Sequence, residues 1–185
     1  GSRWGRDDYI HTAKELSARL LIHCVTGDSL KSFDSPDSPE APFAYYDFEA
    51  MQLMGRFDKE WKRLSEAGMK NILNRKVEGL PFFRDAWFSG HEGYPTLENL
   101  LILMHLSEAG VKDTKSAAWL KGQLKGKGLF GSYSVEGKPL SPVESPAIYA
   151  AAALIGDLYG DRELYSLANE RLKGMQNMKK NEYYG

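Results

Sequence analysis

The sequence predicts an all-α protein assembled from helical hairpins. Three observations carry this. Segments with apolar residues at helical spacing follow one another along the 185 residues, and no stretch shows the strict alternation of a half-buried strand. These segments come in pairs: a long aromatic- or proline-rich loop enters an apolar helix, and a short turn enters an amphipathic one. The pairing recurs at about 50 residues, the signature of a stacked repeat.

The first predicted helix runs from Asp7 to Val25, with Ile10, Ala13, Leu16, Leu20 and Leu21 on its inner face. The loop after it, DSLKSFDSPDSPEAP, is turn-prone and too long to be a simple connector. The second helix covers Phe43 to Gly55. The third covers Asp58 to Asn74, packed through Trp61, Leu64, Ile72 and Leu73. A second aromatic loop, EGLPFFRDAWFSGHEGYP, leads to a strongly apolar fourth helix, Thr96 to Ala109, and a more polar fifth, Asp113 to Leu124. A glycine-rich link, GKGLFGSYSVEGKPLSP, precedes the sixth helix. There Ser145 reads as the N-cap and Pro146 as the first helical residue, because proline has no N–H to leave unsatisfied. Ala147, Ile148, Ala151, Ala152, Leu154 and Ile155 surround most of that helix, which predicts burial on more than one side. The seventh, from Asp161, is apolar on one stripe only: Leu164, Leu167, Ala168 and Leu172. The short link Tyr159-Gly160-Asp161 makes the last two antiparallel neighbours. A single domain over 1–185 is expected, in an α-solenoid or as part of an α/α toroid. The long aromatic loops do not suit tetratricopeptide repeats.

The formal net charge is −1, which gives no basic face for nucleic acid. The one cysteine, Cys24, lies in an apolar helical run and reads as inert core; no internal disulfide can form. No apolar run is long enough to span a membrane. No signal-peptide pattern opens the chain, and the leading Gly1-Ser2 reads as an expression scar, so a native targeting segment is expected upstream. No HExxH, CxxC pair, P-loop or GxSxG occurs, so no metal or cofactor is expected. His23 and His105 lie in apolar helices and read as core; His91, in the aromatic loop, is the histidine placed to touch ligand.

In a ring of hairpins all inner helices begin at one end, so the loops before them share one concave face. That face would gather Tyr45, Tyr46 and Asp47 at the second helix, Tyr94 and Glu98 at the fourth, and Glu144 at the sixth. Trp87 and Asp85 would join from the aromatic loop, Asp85 as an exposed acid beside a ring. Acids near helix N-termini are also favoured by the helix dipole, so capping is the competing account of Asp47, Glu98 and Glu144. Exposed rings and acids together suit a sugar. Rings stack on pyranose faces, and two carboxyl groups about 6.5–9.5 Å apart can act as general acid and base with inversion.

Three stretches carry a resemblance. PFAYYDFEAMQLMGRFDKEWKRLSEAGMKNIL resembles the part of glycoside hydrolase family 8 in which an aromatic loop enters an inner helix and an outer helix follows near a Trp. GLPFFRDAWFSGHEGYPTLENLLILMHLSEAG is similar to the next stretch, whose loop supplies cleft residues. SPVESPAIYAAAALIGDLYGDRELYSLANERL and the terminal NEYYG resemble the bacterial lipoprotein branch of this six-hairpin superfamily, which is associated with extracellular polysaccharide. The resemblance implies the later hairpins of an (α/α)6 toroid and an inverting glycosidase at the cell surface. The base would be Glu98 or Asp47. Tyr45, Tyr46, Asp85, Trp87, His91, Tyr94 and Glu144 would hold the polysaccharide. The sequence departs from the pattern twice. The Ser-Glu-Gly-type motif of the general acid is absent, and Pro95 stands where an acid is expected after Tyr94. A non-catalytic glycan-binding module of the same fold, or an α-solenoid that binds a protein, are the alternatives. Part of a toroid would leave apolar helix surface bare, so further hairpins or a second copy are expected to cover it.

Overall fold

The computed structural model describes residues 7–90 and 92–176. His91 and the terminal NEYYG, both singled out above, lie outside the described residues. The chain divides into two compact units, residues 1–72 and 73–185.

In the first unit, α1 (Asp7–His23) is followed by a two-stranded hairpin, β1 (Val25–Thr26) with β2 (Ser29–Leu30), turning at Gly27 with φ +59°. A 3-10 turn over Phe43–Tyr45 then leads into α2 (Phe48–Met54), and α3 begins at Lys59 and runs to Asn74. The expected helix over 43–55 is thus two pieces, broken where Tyr46 and Asp47 adopt extended backbone. Asp47 Oδ1 accepts from the Ala50 N–H at 2.8 Å and starts α2 afresh. The core joins Tyr46, Phe48, Met51, Trp61 and Leu64. Gly68 lets α3 lie against the Tyr46 and Phe48 rings, where an added Cβ would stand 3.1 Å from Phe48 Cε1. Trp61 Nε1 donates to the buried Ser17 Oγ at 2.7 Å. The inner face expected for α1 is not covered: Leu16 and Leu20 are exposed, together with Tyr9 and Ile22, and Ser17 is its one fully buried residue. His23 is exposed rather than core, 3.4 Å from Asp34.

The second unit is built from two helical hairpins, α4 (Thr96–Glu108) with α5 (Thr114–Lys125), and α6 (Pro146–Tyr159) with α7 (Arg162–Gly174). The inner helices α4 and α6 pack on each other, as do the outer helices α5 and α7. This is the inner and outer order read from hydropathy. Ser145 caps α6 through the Ala147 N–H at 3.2 Å, with Pro146 in its first turn. α6 ends at Gly160, whose φ of +69° is the left-handed cap that glycine adopts without strain. α7 crosses α6 at Gly156, where a Cβ would meet the Tyr165 N at 2.6 Å. Two further two-residue strands, β3 (Tyr94–Pro95) and β4 (Ser132–Tyr133), pair antiparallel and tie the start of α4 to the glycine-rich link. Alternation cannot reveal such short ladders, so the sequence reading missed them. Phe82, Tyr133, Val77 and the half-buried Trp119 and Tyr94 form the aromatic core beneath this ladder. Among the described residues, no helix is long and apolar enough to cross a membrane.

Candidate functional site

The second unit carries a cleft of ≈540 Å³. One wall is the aromatic loop, through Phe83, Arg84, Asp85, Ala86, Phe88 and Ser89. Arg75 enters from the chain after α3, Glu92, Gly93 and Tyr94 from the approach to α4, and Ser134, Val135 and Leu140 from the far side.

Local chemistry explains how the walls are held. Residues 75–77 and 82–84 form an antiparallel bridge: the Arg84 N–H donates to the Arg75 carbonyl at 2.9 Å and the Val77 N–H to Phe82 at 2.8 Å. The tight turn between them uses Gly79 at φ +74°. Asn99, buried inside α4, locks this bridge to the helix. Its Oδ1 accepts from the Phe83 N–H at 2.7 Å, and its Nδ2 donates to the Pro95 carbonyl at 2.6 Å. The Tyr94 ring lies parallel to Phe82, with centroids 5.4 Å apart. At Gly93, φ +79°, an added Cβ would run into Leu140 Cδ1 and the Tyr133 carbonyl, so only glycine fits between the walls.

The sequence-predicted residues fall into separate places. Asp85 and Tyr94 share the cleft. Asp85 was expected to be exposed, yet it is only 8% exposed; its Oδ1 accepts from the Trp87 N–H at 3.0 Å and begins the short 3-10 turn Ala86–Phe88. Trp87 stands 44% exposed on that turn. Tyr45 and Asp47 line a smaller, mostly apolar groove of ≈280 Å³ in the first unit, beside Leu20, Met54 and Trp61. Tyr45 is 70% exposed there, whereas Tyr46 is 3% exposed, and its hydroxyl accepts from the Leu30 N–H at 2.9 Å. Tyr46 is therefore core and leaves no surface for a sugar. Glu98 sits half-buried in the first turn of α4 and does not line the cleft.

Glu144 also has a different task from the one its place in sequence suggested. Its Oε2 accepts from the Tyr149 hydroxyl, and that hydroxyl accepts from the Leu129 N–H at 3.1 Å. Burial and the Glu144 hydrogen bond push the Tyr149 phenol up to about 12. Gly128, at φ +101°, passes so close that a Cβ would lie 2.5 Å from the Tyr149 oxygen. Glu144 thus secures the link that delivers β4. Thr96 helps from the other side, its Oγ1 donating to the Phe130 carbonyl at 2.6 Å.

Arg75, Arg84, Glu92, Ser134 and the anchoring Asn99 were not picked out from the sequence. Arg84 had a legible signal, a cation inside the run PFFRDAWF. Arg75 and Ser134 reach the cleft only through pairings that bring distant segments together, Glu92 lies in the aromatic loop itself, and Asn99 anchors the wall from outside the lining.

The relatives bear on this geometry. No family model matches the chain. A protein described as a novel alpha-amylase from Clostridium perfringens superimposes with a TM-score of 0.85 at 27% identity, covering 98% of this chain and 58% of that one. The protein named "Putative lipoprotein YdaJ" of Bacillus subtilis (strain 168) is 26% identical over 166 residues, 83% of this chain and 45% of its own length. PssZ from Listeria monocytogenes gives a TM-score of 0.46 at 16% identity, over 94% of this chain and 75% of that one. The chain shares its helical-hairpin fold with a protein described as an alpha-amylase, and spans about half the length of these first two relatives.

Proposed function

We propose that this chain belongs to a glycosidase-type protein of the family 8 kind and that the ≈540 Å³ cleft of its second unit holds a segment of polysaccharide. The observation that carries the reading is the lining. A nearly buried carboxylate, Asp85, faces the same space as the rings of Phe88 and Tyr94, in a fold shared with a protein described as an alpha-amylase. Rings give a sugar its flat apolar contact, and a carboxylate accepts from its hydroxyls.

Within this proposal, Asp85 and Glu92 replace Asp47 and Glu98 as the carboxylates nearest the glycan. Pro95, at the position where the resemblance expects an acid, is the N-cap of α4 and cannot serve as a base. This favours a second reading, a glycan-binding region whose hydrolytic groups belong to other hairpins of a longer (α/α)6 toroid. The relatives' greater length supports it, and such hairpins or a second copy would cover the bare stripe of α1. A cell-surface, lipoprotein-type setting in a bacterium is the matching proposal for location, supported by the YdaJ name alone.

Reducing-end release and binding are measured for the chain and for Asp85→Asn across α-glucans, β-glucans and bacterial exopolysaccharides. Hydrolysis lost in the folded variant makes Asp85 part of the reaction. Saturable binding without hydrolysis, weakened in the variant, supports the second reading. No glycan bound by the folded chain would overturn both.

A further inference from the structure

At the corner where α6 turns into α7 the second unit has another depression, of ≈640 Å³, lined by Gly156, Asp157, Gly160, Arg162, Tyr165 and Ser166. None of these residues lines the cleft. The corner is held rigidly. Gly160 ends α6 at φ +69°, the Asp161 Oδ1 accepts from the Leu164 N–H at 3.0 Å, and α7 lies directly on Gly156. Charges beside the depression are taken up by neighbours: Asp161 pairs with Lys121 of α5 at 2.8 Å, and Glu163 pairs with Lys125. Those inside it are not. Among the described residues, the side chains of Asp157, Arg162 and Ser166 have neither an ion pair nor a hydrogen bond, although an acid and a base share the depression. Tyr165 stands 47% exposed among them.

We infer that this corner is a second glycan contact, one that takes a neutral hexose unit of the polymer held by the cleft. The inference rests on the glycan reading above and extends it to a separate place. Asp157 and Arg162 balance each other's charge, so the depression does not call for an ion. What it offers is an acceptor, a donor fork, a hydroxyl and an exposed ring, presented by two packed helices. A pyranose has hydroxyls that donate and accept together with an apolar C–H face, and it matches that set without a charge of its own. The link that lines the cleft enters α6 at Pro146, and the corner lies at the other end of that 14-residue helix, about 20 Å away. One hexose therefore occupies one site, whereas a long chain can reach both and gains affinity from the second contact.

The test titrates the whole chain with maltohexaose, cellohexaose and laminarihexaose, followed by calorimetry and by amide shifts of residues 82–94 and 156–166. At least one hexamer is expected to shift both segments. Tyr165→Ala should weaken the response of 156–166 by about tenfold, the scale of one lost ring contact, and leave that of 82–94 unchanged. Tyr165→Phe keeps the ring and should keep most of the binding, whereas Asp157→Asn and Arg162→Gln should each weaken it. Asp85→Asn is expected to do the converse, weakening the response of 82–94 and sparing 156–166. Shifts confined to 82–94 with every hexamer would overturn the corner site and leave the cleft reading standing. Shifts at 156–166 that survive both Tyr165→Ala and Arg162→Gln unchanged would overturn it as well. Inorganic phosphate that shifts 156–166 as strongly as the best hexamer would replace sugar recognition with an anion site at Arg162. Absence of shifts in both segments would overturn the corner site alone, because the cleft reading is decided on the wider glycan panel.

Discussion

Asn99 is the residue on which the cleft wall depends most directly, and its replacement gives a sharp expectation. Asn99→Leu keeps the volume and removes both hydrogen bonds. The Phe83 N–H, 2.7 Å from Asn99 Oδ1, is then left without its partner beside a core phenylalanine. An orphaned buried donor costs about 1–3 kcal/mol, and the lost bond to Pro95, 2.6 Å long, adds about 1 kcal/mol, less because that carbonyl sits at a helix start. The expected loss is about 3 kcal/mol, centred on the second unit. Hydrogen exchange read peptide by peptide is the assay, because it resolves residues 82–85 from the rest. Exchange there should speed by about two orders of magnitude, the factor that 3 kcal/mol implies. Asn99→Asp separates the two bonds. It keeps an acceptor for Phe83 and loses the donor to Pro95, so protection at Phe83 should survive better than in Asn99→Leu. Overall stability should still fall, because a carboxyl enters a buried place. Unchanged exchange at 82–85 in Asn99→Leu, with a stability loss under about 0.5 kcal/mol, would refute this account of how the wall is held.

Three further expectations follow from the same contacts. Gly93→Ala should cost more than about 2 kcal/mol, since a Cβ both demands a left-handed backbone and strikes Leu140 and Tyr133; calorimetric melting that matches the unaltered chain would contradict it. Tyr149→Phe removes the hydroxyl that serves Leu129 and Glu144 and should cost about 2 kcal/mol, with faster exchange at 128–131 as the local readout. Asp113 predicts a pH effect. Burial pushes its carboxyl up, but Lys76, at 2.7 Å, and Ser116 outweigh burial and hold it below the usual range. A carboxyl depressed in the folded state stabilises above its unfolded value of about 3.9, and that contribution is lost as pH falls through the folded value. Urea midpoints measured from pH 6 to pH 2.5 should therefore fall less steeply in Asp113→Asn; parallel curves would contradict it.

Much of the fold was legible because it is written in hydropathy and caps. Ser145-Pro146 and Asp161 mark helix starts by side-chain and ring chemistry that acts within three residues, and both start helices in the structure. The burial of α6 and the half-wet face of α7 follow from composition around each helix. Reading failed where long-range pairing overrode local pattern. Residues 43–55 look continuously helical, yet Tyr46 turns into the core, takes the Leu30 N–H, and so breaks the helix at Asp47. The apolar residues of α1 promise a buried face, but burial depends on a neighbour, and nothing in the periodicity of one helix supplies it.

The site shows the same division more severely. Asp47, Glu98 and Glu144 were grouped because each precedes or opens an inner helix, a property of position along the chain. A carboxylate at a helix start has work of its own, and the structure gives Asp47 the Ala50 N–H and Glu144 the Tyr149 hydroxyl. Asp85 also caps a turn, through Trp87, yet it keeps its place in the cleft lining. The difference lies in the wall around it. The 75–84 bridge and Asn99 bring two arginines and the rings of Phe88 and Tyr94 to the same space, and they are drawn from segments that are separated in sequence. Aromatic residues announced that wall in advance because their abundance in a loop is unusual. Asn99 and Arg75 could not announce themselves, because a polar residue in a helix or just past its end is ordinary until the partner across the fold is known.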